Sequence, residues 1–277
     1  MTDINSKEDE KRFLNIYREC LEEVASLLPA DMAGVAKHNP GWTSERFDVK
    51  DYLKRSETRY IRALRAIRAA GAKSVLDVGG FLAAFPLALS RIGYTVAIAE
   101  KFGYYDHALD GIAHHLSKNG VQVIDADFTE EKLGLEGPPP LFDAVTCMAV
   151  AEHLAHTPRF LLANIASALR PGGALVFEVP NLAFWPRRAS FFLKGTTVHS
   201  PIADVFHSAI PFTGHHREYT LSDMRYVLAK SGFEIVSEET FNYSIDTSSL
   251  LQVLKNFPAF IVKDCAELIL ASGRKRG

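Results

Sequence analysis

From Ala72 onward, short β-branched runs alternate with stretches of helical periodicity, and this alternation restricts the chain to βαβ units on a mostly parallel sheet. Strands are predicted from Ser74 to Val78, Thr95 to Glu100, Val121 to Asp125, Phe142 to Cys147, Ala174 to Val179, Phe233 to Glu238 and Glu267 to Ala271. Helical spacing runs from Ala84 to Arg91, Asp106 to Lys118 and Pro158 to Leu169 between them. Thr157 is the expected N-cap of the last of these, with Pro158 at its first position and Pro171-Gly172-Gly173 as its stop. Thr220 and Asp223 form an expected capping pair ahead of a helix from Leu221 to Lys230, which Gly232 ends.

Ahead of this pattern lie two amphipathic stretches. Lys7 to Leu28 places Phe13, Ile16, Tyr17, Leu21, Val24 and Leu27 at helical spacing, and Pro29 ends it. A loop with Pro40, Gly41 and Trp42 follows. Val49 to Ala70 then predicts one helix with Leu53, Tyr60, Leu64 and Ile67 on one side and basic residues between. The expected organisation is an N-terminal helical cap over 1–72 and a core over 73–277. Residues 181–219 are expected to form a lid insertion and 243–263 a second long connection, because long connections in α/β domains are usually lids, binding loops or disorder.

Composition narrows the function. The chain has 277 residues, 47% hydrophobic and 23% charged, with a formal charge of -2 and both signs interspersed. Such a chain lacks the basic excess of a nucleic-acid binder. Cys20, Cys147 and Cys265 are too scattered for a disulfide framework or a paired metal motif. The polar start, MTDINSKEDEKR, differs from a signal peptide, and no apolar run is long enough to span a membrane. The expectations are a cytoplasmic location, a small-molecule substrate, no nucleic acid and no transmembrane segment, in a chain compatible with a homo-oligomer.

Ser74-Val75-Leu76-Asp77-Val78-Gly79-Gly80 sets an acid and two glycines where a buried strand turns toward a helix. Glu100 ends the next strand about twenty residues on, the spacing at which α/β cofactor domains hold ribose hydroxyls. An isolated Glu there would be read as a solvated strand end. With Asp127 after the third strand, FDAVTCMAVAEHL over 142–154 and LRPGGALVFEVPN over 169–181, residues 73–273 resemble the class I S-adenosylmethionine-dependent methyltransferases.

The resemblance implies a Rossmann-like, doubly wound seven-stranded α/β sheet with its last strand antiparallel, and S-adenosyl-L-methionine as cofactor. It also implies roles. Asp77 and Gly79 would line the amino-acid half of the cofactor, Glu100 would take the ribose hydroxyls and Asp127 would face the adenine amino group. Phe128 would offer its backbone N–H to the ring, and Met148 would lie beside the methionine moiety. The family's Asp-x-Gly-x-Gly-x-Gly turn here carries Phe81 and Ala83 at two glycine positions. Phe81 either points inward and blocks the cofactor or turns into the core while Gly80 supplies the needed freedom, and the acidic set favours the second.

On the substrate side, His153 follows the fourth strand at the edge where open sheets bind ligands, either as a general base or as a structural histidine, and Glu152 could orient its ring. Ubiquinone-pathway O-methyltransferases resemble this stretch and set a metal on Glu-x-x-Glu-His. Ala149 replaces the first carboxylate here, so no required metal is expected unless histidines of the insertion substitute.

The insertion ends in His215, His216, Arg217, Glu218 and Tyr219, which offer bases, a cation and a hydroxyl, or an Arg217–Glu218 pair that anchors a lid. Phe184 to Lys194 mixes aromatics with Arg187 and Arg188, suiting an anionic substrate, a membrane surface or, as the default, a cover for the core. The expected reaction is O-methylation of a sugar or natural-product hydroxyl, with His153, His215 or His216 as base and Glu152, Arg187, Arg217 and Tyr219 holding the substrate. The alternatives are N- or C-methylation on the same scaffold, and a non-catalytic binding protein with a degenerate cofactor loop.

Overall fold

The computed structural model describes residues 3–30, 32–36, 48–135, 137, 139–196, 200–208 and 210–276. The predicted loop around Pro40, Gly41 and Trp42 lies outside the described residues. The strands are β1 (Ser74–Val78), β2 (Thr95–Glu100), β3 (Gln122–Asp125), β4 (Phe142–Met148), β5 (Leu169–Pro180), β6 (Phe233–Phe241) and β7 (Leu268–Lys275). They form one seven-stranded sheet in the order β3-β2-β1-β4-β5-β7-β6. Neighbours among β1 to β5 run parallel, and β7 runs antiparallel to both β5 and β6. All five residues of β1 are buried, as expected for a central strand covered on both faces. From β1 the chain moves outward to β2 and β3 and then returns to β4 on the other side, which opens a crevice at the carboxyl ends of β1 and β4.

The helices, in chain order, are α1 (Asp3–Leu27), α2 (Ala33–Ala36), α3 (Val49–Arg55), α4 (Glu57–Ala69), α5 (Ala84–Arg91) and α6 (Asp110–Lys118). They continue with α7 (Arg159–Ala168), α8 (Trp185–Lys194), α9 (Ile202–Phe206), α10 (Leu221–Lys230), α11 (Leu250–Lys255) and α12 (Pro258–Ile261). One apolar layer joins α1, α4, α5 and α6 to the sheet through Phe13, Tyr17, Leu64, Phe85 and Ile112. The other joins α7 and α10 through Leu161, Ile165, Met224 and Leu228. Phe13 meets Phe85 edge-on at 6.2 Å and Tyr60 stacks on Phe85 at 4.7 Å, so aromatic packing ties α1 and α4 to the sheet-covering helix α5. Burial of each such ring contributes about 1.5–3 kcal/mol.

Several boundaries depart from the expected ones. The single helix expected from Val49 to Ala70 breaks at Ser56, whose buried hydroxyl donates to the Tyr52 carbonyl at 2.9 Å and stops the first segment. Its basic residues do not all face out: Arg59 is 4% exposed, on the same face as Ala63 and Ile67. The helix expected from Asp106 begins at Asp110, because Asp106 and His107 have φ of 49° and 67°, outside the helical region. Pro158, not Thr157, is the N-cap of α7, and Thr157 Oγ1 instead accepts from the Arg159 N–H at 3.2 Å. That helix stops at Ala168, before Pro171-Gly172-Gly173, because Leu169 is already extended and pairs with Phe142; the glycines fall inside β5 beside an irregular register. Thr220 and Asp223 do form the expected capping box of α10.

The three cysteines are free and buried. Among the described residues, no helix is long and apolar enough to cross a membrane.

Candidate functional site

A cavity of about 1050 Å³ opens at the carboxyl ends of β1, β2 and β4, lined there by Asp77, Gly79, Glu100 and Met148. The turn after β1 is built for close approach. Gly79 has φ of 72°, and a Cβ on it would lie 2.4 Å from Val150 Cγ2. A Cβ on Gly80 would lie 2.6 Å from Asp77 Oδ2. Phe81 and Ala83, at the two positions where the resemblance expects glycine, both keep positive φ, 46° and 58°. The backbone therefore follows a glycine-type path even without glycine there. Phe81 takes neither expected extreme: its ring packs on the apolar layer and lies 5.5 Å from the Tyr105 ring, yet the residue still lines the cavity.

The two acids of this edge are held by neighbours. Thr146 donates its hydroxyl to Asp77 Oδ1 at 2.5 Å. Burial pushes the Asp77 carboxyl up to about 7, with the Thr146 hydroxyl opposing and the Glu100 charge adding to the rise. Glu100 accepts the Phe81 N–H on one oxygen at 2.9 Å and the Lys101 N–H on the other at 3.0 Å. Burial nevertheless holds it above the usual carboxylate range. Asp127 and Phe128 are not among the described residues that line the cavity; Thr129 and Glu130 stand there instead. Asp127 Oδ1 accepts both the N–H and the hydroxyl of Thr129, and the Phe128 carbonyl accepts from Asn164 at 3.0 Å.

Across the cavity, the 3-10 turn after β4 carries Glu152 and His153. The Glu152 carbonyl accepts the His216 N–H at 2.7 Å and the Arg217 N–H at 3.3 Å, which draws the end of the 181–219 segment onto this turn. His215 thereby meets His153, ring edge to face at 4.8 Å. His153 Nδ1 pairs with the Thr213 carbonyl at 2.9 Å, a contact in which the nitrogen donates and the imidazole carries its proton there. His215 Nδ1 pairs with Glu218 at 2.8 Å, and Glu218 also pairs with Arg187. Glu152 is fully buried, and among the described residues both of its carboxylate oxygens lack a partner. One ligand atom from each of Glu152, His153 and His215 lies within 4.8 Å of the others, a set that could hold a metal ion despite Ala149.

Burial pushes Glu152 up to about 8 and holds His153 below the ordinary imidazole range. It takes His215 down to about 3, with His153 and Arg187 adding to the shift. His216 also lines the cavity, but its Nε2 is bound to the Phe212 carbonyl at 2.8 Å. Arg217 and Tyr219 do not line it. Arg217 lies 3.7 Å from Asp223 on the exposed side, and buried Tyr219 directs its hydroxyl to the Ala151 carbonyl. The expected Arg217–Glu218 pair is replaced by Arg187–Glu218.

Sequence reasoning missed Arg59, Tyr104 and Tyr243, which also line the cavity, as does Glu218, expected only as a partner of Arg217. Arg59 donates from Nε to Glu178 Oε1 at 2.9 Å, both side chains being buried. The spacing of Arg59 with Ala63 and Ile67 was its one signal; Tyr104 and Tyr243 had none.

A family model described as a methyltransferase domain matches residues 51–238, more than half of the chain. The chain belongs to this methyltransferase family. S-adenosylmethionine is the cofactor of this class I type, and the glycine turn, with no room for a side chain at Gly79 or Gly80, fits a ligand pressed against the backbone.

Over 109 residues the methyltransferase is 31% identical to a ubiquinone biosynthesis O-methyltransferase of Rickettsia prowazekii (strain Madrid E), covering 39% of this chain and 40% of that one. The match thus spans well under half of that relative. The fold is similar to the N-methyltransferase NodS of Bradyrhizobium japonicum WM9 in complex with S-adenosyl-L-homocysteine, with a TM-score of 0.53 and 14% identity, over 89% of this chain and 100% of that one. It is also similar to the magnesium protoporphyrin IX methyltransferase ChlM of Synechocystis PCC 6803, with a TM-score of 0.52 and 14% identity, over 87% and 92% of the two chains.

Proposed function

We propose that this methyltransferase moves the methyl group of S-adenosylmethionine to a hydroxyl of a small polar molecule. One observation carries the reading: Asp77, Glu100 and the glycine turn line the same cavity as the Glu152–His153–His215 cluster. In this reading Asp77 faces the cationic amino-acid end of the cofactor and Glu100 receives the ribose hydroxyls, its two oxygens having lone pairs beyond those used by Phe81 and Lys101. Asp127 and the Phe128 N–H, both outside the cavity lining, keep the adenine role only if the cofactor reaches past Thr129. The small acceptor is seated against Glu152, His153 and Arg187.

Methyl transfer is an in-line displacement at a carbon activated by sulfonium. The carbon–sulfur bond breaks as the carbon–oxygen bond forms, and the sulfur keeps the electron pair. The enzyme's main contribution is therefore orientation. The acceptor's proton must also leave. His153 is the base that suits this step, because it lines the cavity, burial holds it below the ordinary imidazole range, and the Thr213 carbonyl accepts the hydrogen bond of its Nδ1. His215, with Nδ1 bound to Glu218, serves to fix the ring of His153. His216 supports the loop. Arg217 and Tyr219, facing away, hold the 181–219 segment in place and do not touch the substrate.

The partnerless oxygens of Glu152 favour a second reading, in which Glu152, His153 and His215 hold a divalent cation that takes the acceptor oxygen. Two measurements decide. Transfer from cofactor with a labelled methyl group, followed by NMR of the product, should put the label on oxygen; a label on nitrogen or carbon rejects the O-methyl assignment. Turnover that survives dialysis against a chelator supports His153 as base, and turnover lost on chelation and restored by a divalent ion supports the cation.

A further inference from the structure

Two segments outside the cofactor edge carry most of the exposed apolar bulk. On α8, Phe192 is 87% exposed and Leu193 is exposed beside it; on α11, Leu251 and Leu254 are exposed, as are Phe257 just after it and Ile261 on α12. Of the three roles expected for this stretch, an anionic-substrate site, a membrane surface or, by default, a cover for the core, the default does not describe Phe191 and Phe192, which are turned outward.

The segments touch. Trp185 at the start of α8 donates its indole N–H to the Lys255 carbonyl at 3.2 Å, and Arg188 donates to the Asp264 carbonyl at 3.2 Å. Single exposed hydrophobics are ordinary, but this many on three adjoining short helices mark a surface that meets something apolar.

The charge of these helices selects the partner. The three helices and Lys263 contribute Arg187, Arg188, Lys194, Lys255 and Lys263 and no Asp or Glu, the acids Asp246 and Asp264 standing only at the borders of the second segment. Arg187 and Lys263 pair with Glu218 and Glu238; among the described residues Arg188, which donates to the Asp264 carbonyl, Lys194 and Lys255 have no carboxylate partner and stand among the apolar side chains. A second copy of the chain would set this face against itself and bring like charges together. Aromatic and aliphatic side chains interleaved with cations are instead what an anionic lipid surface accepts: the rings enter the acyl boundary and the cations meet headgroup phosphates. The face also adjoins the cavity, since Arg187 of α8 and Tyr243 ahead of α11 both line it.

We propose that the face built by α8, α11 and α12 rests on an anionic membrane surface beside the mouth of the cavity. This goes beyond the methyl-transfer reading and does not depend on which atom is methylated.

The test is sedimentation of the full chain with vesicles of phosphatidylcholine, alone and mixed with phosphatidylglycerol. The chain should pellet with the mixed vesicles, less with phosphatidylcholine alone, and less again at high salt. The paired change Phe192→Ser with Leu251→Ser should weaken partitioning about tenfold or more while thermal stability and cofactor affinity stay unchanged. Lys194→Gln with Lys255→Gln, which leaves the apolar groups intact, should remove the preference for phosphatidylglycerol. Failure to pellet with either vesicle, or equal pelleting of the serine variant, overturns the proposal. So does a concentration-dependent dimer in light scattering that the serine variant abolishes, which would assign the face to a second copy.

Discussion

The backbone N–H of Phe81 donates to Glu100 Oε2 at 2.9 Å, joining the turn after β1 to the end of β2. One carboxylate thus fixes the path of a turn whose positive-φ residues are not all glycine, and in the proposed function the same carboxylate receives the ribose. Glu100→Ala should weaken cofactor binding by about 1.5–3 kcal/mol, the scale for a charged hydrogen bond. Calorimetric titration with S-adenosylhomocysteine measures this, and unchanged affinity would place the ribose elsewhere.

Asp77 predicts a pH dependence. Its carboxyl titrates near 3.8 when unfolded and is pushed up to about 7 by burial in the folded protein. A raised folded value means that its contribution to stability is full below about pH 4 and is lost as pH rises to about 7. Without cofactor, wild type should lose stability across that window relative to Asp77→Asn. A cationic ligand favours the ionised carboxylate, so cofactor affinity should rise with pH up to about 7 and then level off, and the Asn variant should show a flat profile. Thermal melts and titrations across pH 5–8 check both signs.

Arg59 on α4 and Glu178 on β5 form a buried pair that connects an N-terminal helix to the sheet. Arg59→Ala leaves a buried carboxylate unpaired and should cost about 3–5 kcal/mol in urea unfolding. Arg59→Met with Glu178→Gln should recover much of that loss. Equal damage from the single and paired changes would mean that packing of the arginine stem, not charge, holds the helix.

The centre of the sheet was legible because strands such as Ser74 to Val78 are short β-branched runs buried along their whole length, and the outer strands followed from their alternation with helical stretches. The place of Asp77, Glu100 and the two glycines at one cavity was legible for a related reason: strand ends in this topology converge on one edge. The break at Ser56 was not, because a hydroxyl bonding back to Tyr52 leaves the apolar spacing on either side intact. The approach of His215 to His153 depends on two N–H groups of a long segment finding the Glu152 carbonyl, a tertiary event without a local pattern. Arg217 and Tyr219 were misplaced for the same reason, since nothing nearby in sequence says which side of that segment faces the cavity.

The central claim is that His153, with Nδ1 fixed by the Thr213 carbonyl, takes the proton of a hydroxyl acceptor seated beside the cofactor. The most direct measurement compares wild type with His153→Ala for turnover, using labelled S-adenosylmethionine and the acceptor, and for cofactor affinity. Turnover should fall roughly 10²–10⁴-fold, the scale of one positioned base, while affinity stays within about twofold. Equal turnover in the two proteins would contradict the claim.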